Sequence, residues 1–296
     1  MNAKVKLVIA MLIFGSIGIF VRTIDMPSGI LALVRGSIGT VFLWLAGIAM
    51  KRKISSKAIK KNFKLLMFSG VAIGANWICL FEAYRYTTIS VATLCYYLSP
   101  VFVILVSPIF LKEKLTAVKG GCVMLSLLGM MLVVDVFNGG YGNGSGIKGI
   151  AFGIMAALLY ASVVIMNKFL KEIEPIDMTV SQLGIASVVL LPYILLTGSG
   201  SKVTINGSTL LLLLLLGIVN TGIAYLLYFS SLKDLSGQTA ALFSYIDPVT
   251  AILLSALLFQ EKMSVPQVLG AVLILGSTVV SELIENRKQA SSGQVV

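Results

Sequence analysis

A chain of 296 residues that is 57% hydrophobic and only 12% charged, with a mean hydropathy of +0.98, lies outside the soluble globular class. Its formal charge of +11 would suggest nucleic acid in a soluble protein, but in so apolar a chain basic residues collect in cytoplasmic loops, and no nucleic-acid partner is expected. Histidine is absent, which leaves carboxylates as proton carriers; Cys79, Cys95 and Cys122 lie in apolar stretches with no metal or haem spacing, so neither metal nor other cofactor is expected.

A membrane span needs about 20 mostly apolar residues to cross a core of about 30 Å. The first run, 5–21, follows Lys4 and Lys6 like a signal peptide, but it ends in Phe20-Val21-Arg22-Thr23 without a small-residue cleavage pattern and is read as a retained helix. Nine further runs follow at 29–50, 63–84, 89–111, 116–136, 149–170, 178–196, 210–230, 239–259 and 266–283, joined by short connections. If both termini are cytoplasmic, 17 of the 23 Lys and Arg residues fall inside and 5 outside, with Arg35 within a helix. That asymmetry sets the N-terminus inside, and Lys51 to Lys64 is then a topology anchor.

The segment 91–114 recurs as 239–262 at a constant offset of 148 residues. Ala92, Leu94, Tyr97, Pro100, Val101, Ile104, Leu105, Ser107, Glu113 and Lys114 reappear as Ala240, Leu242, Tyr245, Pro248, Val249, Ile252, Leu253, Ser255, Glu261 and Lys262. The chain therefore reads as a duplication: an all-α integral membrane protein of ten transmembrane helices built as two inverted five-helix repeats, 1–137 and 148–284, with 285–296 as a cytoplasmic tail. Five is an odd number, so the second half enters the membrane from the opposite side. Two inverted halves can exchange shapes, which is the physical basis of alternating access.

The sequence also resembles the EamA family of ten-helix carriers in the drug/metabolite transporter superfamily. Tyr84-Arg85-Tyr86-Thr87, Leu98-Ser99-Pro100 and Lys112-Glu113 are similar to the family's characteristic stretch, and Leu232-Lys233-Asp234-Leu235, Ile246-Asp247-Pro248 and Gln260-Glu261 to its second-half counterpart. Arg35 matches an arginine common in the second helix. Asp247 stands where a longer Glu is usual, and Gly36 replaces an aromatic. The resemblance implies a secondary transporter of small organic metabolites, often exported, in a bacterial cytoplasmic membrane. An amino acid or related amphipathic solute is the first expectation for cargo. An amine or quaternary ammonium cation is the alternative, since carboxylates and tyrosines can form a cationic cage. A channel would show a polar or Gly-rich filter, and an enzyme a nucleophile with its base; neither pattern is visible. The expected partners are the solute, the lipid bilayer and, for coupling, protons, with the chain a monomer or homodimer.

Pro100 and Pro248 lie mid-helix at equivalent positions, which favours hinges bordering a cavity over simple packing kinks. Asp247 is about nine residues into its run, roughly 13 Å at 1.5 Å per residue. A carboxylate at that depth holds a substrate amine, carries a proton or makes a structural pair. Arg35 and Glu82, near the outer helix ends, either reach the interface or form an ion pair closing the outer mouth. Tyr97 and Tyr245 are the aromatics expected in the cavity wall, with Trp77, Tyr160 and Tyr225 beside them. Asn76 and Asn220 are costly facing lipid, and serve as helix glue or as substrate hydrogen bonds. Gly15, Gly18, Gly70 and Gly74 read as close-packing sites, and 211–216 as lipid-facing leucines.

Overall fold

The computed structural model describes residues 2–52, 54–87, 89–133, 146–197, 206–260 and 264–291, and among them every regular element is helical. The first expected span is α1 (Ala3–Gly15) and α2 (Ile17–Thr23), broken at Ser16, whose hydroxyl donates to the Ile13 carbonyl at 2.7 Å. There follow α3 (Ser28–Ala49), a short α4 (Ser56–Lys61) within the lysine-rich connection, α5 (Phe63–Tyr86), the pair α6 (Ile89–Tyr96) and α7 (Ser99–Phe110), and α8 (Ala117–Val133). The second part of the chain runs through α9 (Gly146–Phe169), α10 (Pro175–Thr197), α11 (Gly207–Gly217), a π-helical stretch Ile218–Ile223, α12 (Ala224–Leu232), the pair α13 (Gly237–Phe243) and α14 (Ile246–Phe259), and α15 (Val265–Ser291). Among the described residues eight helical runs are long and apolar enough to cross a membrane, and the described parts of the fifth and tenth expected spans form the shorter apolar helices Ala117–Leu132 and Val265–Ser281. The last helix continues past residue 284, to Ser291.

Large apolar side chains such as Phe68, Ile109, Leu195 and Leu257 are exposed around the bundle, as lipid contact requires. Leu213 and Leu216 depart from the lipid-facing reading of their run. Both are buried with Ile24 and Leu31, because the helical period returns every third or fourth leucine to the neighbouring helix.

Helix α5 packs on α9, α12 on α1, α3 on α10 and α8 on α15. The broken pair α6 and α7 also lies on α9, and α14 on α1. Small residues set these approaches: a Cβ at Gly74 of α5 would stand 2.8 Å from Val189 Cβ on α10. Gly18 differs from the expectation, since nothing lies within 4 Å of where its Cβ would be. Gly74→Ala is therefore expected to cost about 1–3 kcal/mol through overpacking, whereas Gly18→Ala is near neutral. Thermal midpoints of the two purified variants check this, and equal midpoints would refute it.

At one end of the bundle the lysine-rich connections meet. Lys61 pairs with Glu172 at 2.8 Å and Arg52 with Glu174 at 3.8 Å, while the Asn62 side chain donates to the Lys171 carbonyl and accepts from its N–H at 2.8 and 3.1 Å. The ammonium of Lys61 holds the Glu172 carboxyl below its usual range, but the pair is exposed and adds little stability.

Candidate solute site

The fourth and ninth expected spans are both interrupted near their middles. At the first break the Leu98 N–H reaches the Cys95 carbonyl at 3.2 Å, and at the second the Tyr245 N–H reaches Leu242 at 3.2 Å, a tighter spacing than an α-helix uses. Pro100 and Pro248 stand in the first turn after each break, where a proline fits because a helix start leaves its N–H groups unpaired in any case.

These breaks bring Tyr97 and Asp247 together. The Tyr97 and Asp247 side chains lie within electrostatic reach of each other, and Asp247 occupies the first turn of α14, where the helix dipole presents its positive end. Asp247 lies within electrostatic reach of Tyr84, Tyr96 and Tyr225. Arg35 of α3 reaches the same three tyrosines. Its guanidinium sits 4.7 Å from the centroid of the buried Trp77 ring, a cation–π arrangement that fixes the orientation of the fork, and among the described residues it has no ion-pair partner. Gly36 makes room for this stack, since a Cβ there would lie 3.2 Å from the indole. Arg35 and Asp247 thus lie within electrostatic reach of the same three tyrosines.

Toward the lysine-rich end the aromatic wall closes. Tyr160 stacks on Tyr228 at 6.2 Å between centroids and leans on Tyr96 at 5.9 Å. A narrow cavity there is lined by Ser99, Pro100, Val103, Tyr160, Val164, Tyr228, Ala241 and Ser244, with the two breaks in its wall. Trp77 meets the Tyr225 ring edge-on at 6.3 Å between centroids.

Other expected site residues lie elsewhere. Tyr245 is fully buried beside Met130 and Ile274, and its hydroxyl donates to the Tyr97 carbonyl at 3.2 Å, so it braces one break against the other. The Asn76 amide donates to the Ala156 carbonyl at 2.6 Å, and the Asn220 amide to Ile13 and Ser16 at 2.7 Å each, which joins α5 to α9 and the π-helical stretch to the first span. Glu82 accepts from Arg85 at 2.9 Å and from Tyr193 at 2.6 Å, while Arg35 stays with Trp77. Tyr84 was not expected in the site because it sits near a helix end. Its spacing of seven from Trp77, two turns along one face of α5, is the signal that places the two together.

The EamA-like transporter family model matches residues 3–135 and 147–282. The chain belongs to the EamA-like transporter family. Among EamA-like relatives, an uncharacterized transporter of Bacillus subtilis (strain 168), YxxF, is 30% identical over 286 residues, covering 95% of this chain and 89% of its own. Protein PecM of Dickeya dadantii (strain 3937) is 27% identical over 241 residues, 77% of each chain. A solved crystal structure superposes with a TM-score of 0.84 at 19% identity, covering 95% of this chain and 98% of that one, a likeness of fold. This EamA-like chain is accordingly a multi-pass membrane transporter, whose partners are a small-molecule solute and the bilayer.

Proposed function

We propose that the chain is a ten-helix secondary carrier in a bacterial cytoplasmic membrane that moves small zwitterionic organic solutes, amino acids or close relatives, outward by alternating access. The observation that carries this reading is that Arg35 and Asp247 lie within electrostatic reach of the same three tyrosines, Tyr84, Tyr96 and Tyr225. A guanidinium fork suits a carboxylate, and a carboxylate backed by tyrosines suits an ammonium. The inverted repeat is supported by packing that survives exchange of the halves: α5 on α9 corresponds to α12 on α1, and α8 meets its own counterpart α15. Left-handed residues at the equivalent positions Lys112 and Gln260, with φ of 56° and 54°, add to that support.

A thermal-shift screen of the purified protein tests the solute class, because a ligand stabilises only the folded state it binds. The panel pairs each amino acid with its decarboxylated amine and its deaminated acid. Stabilisation by the zwitterions alone is expected. Stabilisation by amines as strongly as by amino acids would instead favour the cationic cage of Asp247 with Tyr84, Tyr96 and Tyr97. For orientation, single cysteines at Lys57 and Lys171 are expected to label only from the cytoplasm and those at Gly142 and Lys202, which lie outside the described residues, only from outside. Outside labelling at 57 or 171 would reverse the topology.

A further inference from the structure

Outside the solute site, a set of buried and part-buried polar contacts between the two parts of the chain gathers where α7 ends and α13 begins. Helix α7 stops at Leu111, and Lys112 turns left-handed at φ 56°, which folds the chain back and points Glu113 at the start of α13. The Glu113 carboxylate accepts from the Gly237 N–H at 2.6 Å and the Gln238 N–H at 3.1 Å. The fully buried Gln238 amide reaches in the other direction and donates to the equally buried Ser107 hydroxyl at 2.8 Å. Helix α7 and helix α13 are therefore tied twice, once through each partner's side chain. A Cβ at Gly237 would stand 2.8 Å from Leu111 Cδ1, so the Leu111 side chain packs directly on the backbone that begins α13. Lys168 of α9 lies in the field of Glu113 and donates to the Leu232 and Leu235 carbonyls, which holds the turn leading into α13. Directly behind this joint lies the narrow cavity walled by Tyr160, Tyr228 and Ser244.

We propose that Glu113 and Gln238 are the latch of the lysine-rich gate: their bonds hold α7 against α13 when that end is closed, and must break before the solute space opens toward it. The inference rests on the alternating-access reading. A charge-assisted bond to backbone N–H groups suits a latch, because it is strong when dry and readily replaced by water once the gap widens. The latch joins residues of the first and second parts of the chain, so its rupture separates them as rigid pieces instead of unwinding either helix.

The test uses one reporter, Ser244→Cys in a background lacking the three native cysteines, and its labelling rate by a membrane-impermeant maleimide applied from either side of oriented vesicles. Glu113→Ala and, separately, Gln238→Ala are expected to raise labelling from the lysine-rich side at least fivefold and to lower it from the opposite side. Lys112→Gly, which keeps the left-handed turn, is expected to leave both rates unchanged and serves as the folding-neutral comparison. Wild-type rates in both Glu113→Ala and Gln238→Ala, with one-sided labelling otherwise intact, would overturn the latch alone. Fast labelling of the parent reporter from both sides at once, with no reciprocal change in any variant, would overturn the carrier reading beneath it.

Discussion

Asp247→Asn is expected to abolish uphill transport. The asparagine keeps the shape of the side chain, but it loses the carboxylate that receives an ammonium or carries a proton at the start of α14. Loss of one charge-assisted hydrogen bond costs about 1.5–3 kcal/mol, which is about 10–150-fold in affinity. Uptake driven by an imposed pH gradient, measured beside counterflow without one, separates the contributions. Counterflow that falls together with concentrative uptake marks Asp247 as a solute contact, whereas counterflow that survives marks a proton carrier. Near-normal concentrative uptake by the variant would remove Asp247 from the mechanism and leave it as a helix-packing group.

The second large effect is expected at Arg35. Arg35→Lys preserves the charge but replaces a planar fork stacked on Trp77 with a point charge that neither stacks nor binds a carboxylate at two atoms. Affinity for a zwitterionic solute should fall by about tenfold or more, equivalent to about 1.4 kcal/mol, while any binding of the decarboxylated amine stays unchanged. This difference between paired ligands is the measurement that matters, because a folding defect would weaken both alike. Isothermal titration of the variant with one amino acid and its amine supplies it. Equal loss for both ligands would mean that Arg35 supports the bundle and does not touch the carboxylate.

The membrane class, the places of the helices and the family were legible in the amino-acid sequence, because each depends on properties carried by a local run of residues. The apolar stretch at 63–84 has to bury its backbone in a helix whatever its neighbours do, and α5 spans Phe63–Tyr86 accordingly. Asp247 stands out for the same kind of reason, since a carboxylate at such a depth in an apolar run is costly, whereas Arg35 is marked by the resemblance to the family. Which groups face one another was decided by the tertiary structure. Tyr97 and Tyr245 are partners in the sequence repeat, yet one lies beside Asp247 and the other is sealed between packed helices. Asn76 and Asn220 read as helix glue or as ligands for a solute, and the approach of the Ala156 and Ile13 carbonyls assigns their amides to neighbouring helices. The tie of Glu113 to the start of α13 spans 124 residues of sequence. Hydropathy records how much each residue prefers lipid to water. The pairing of polar groups depends on which helices pack and at what distance, and that is set by small residues such as Gly74 together with the shape of the whole bundle.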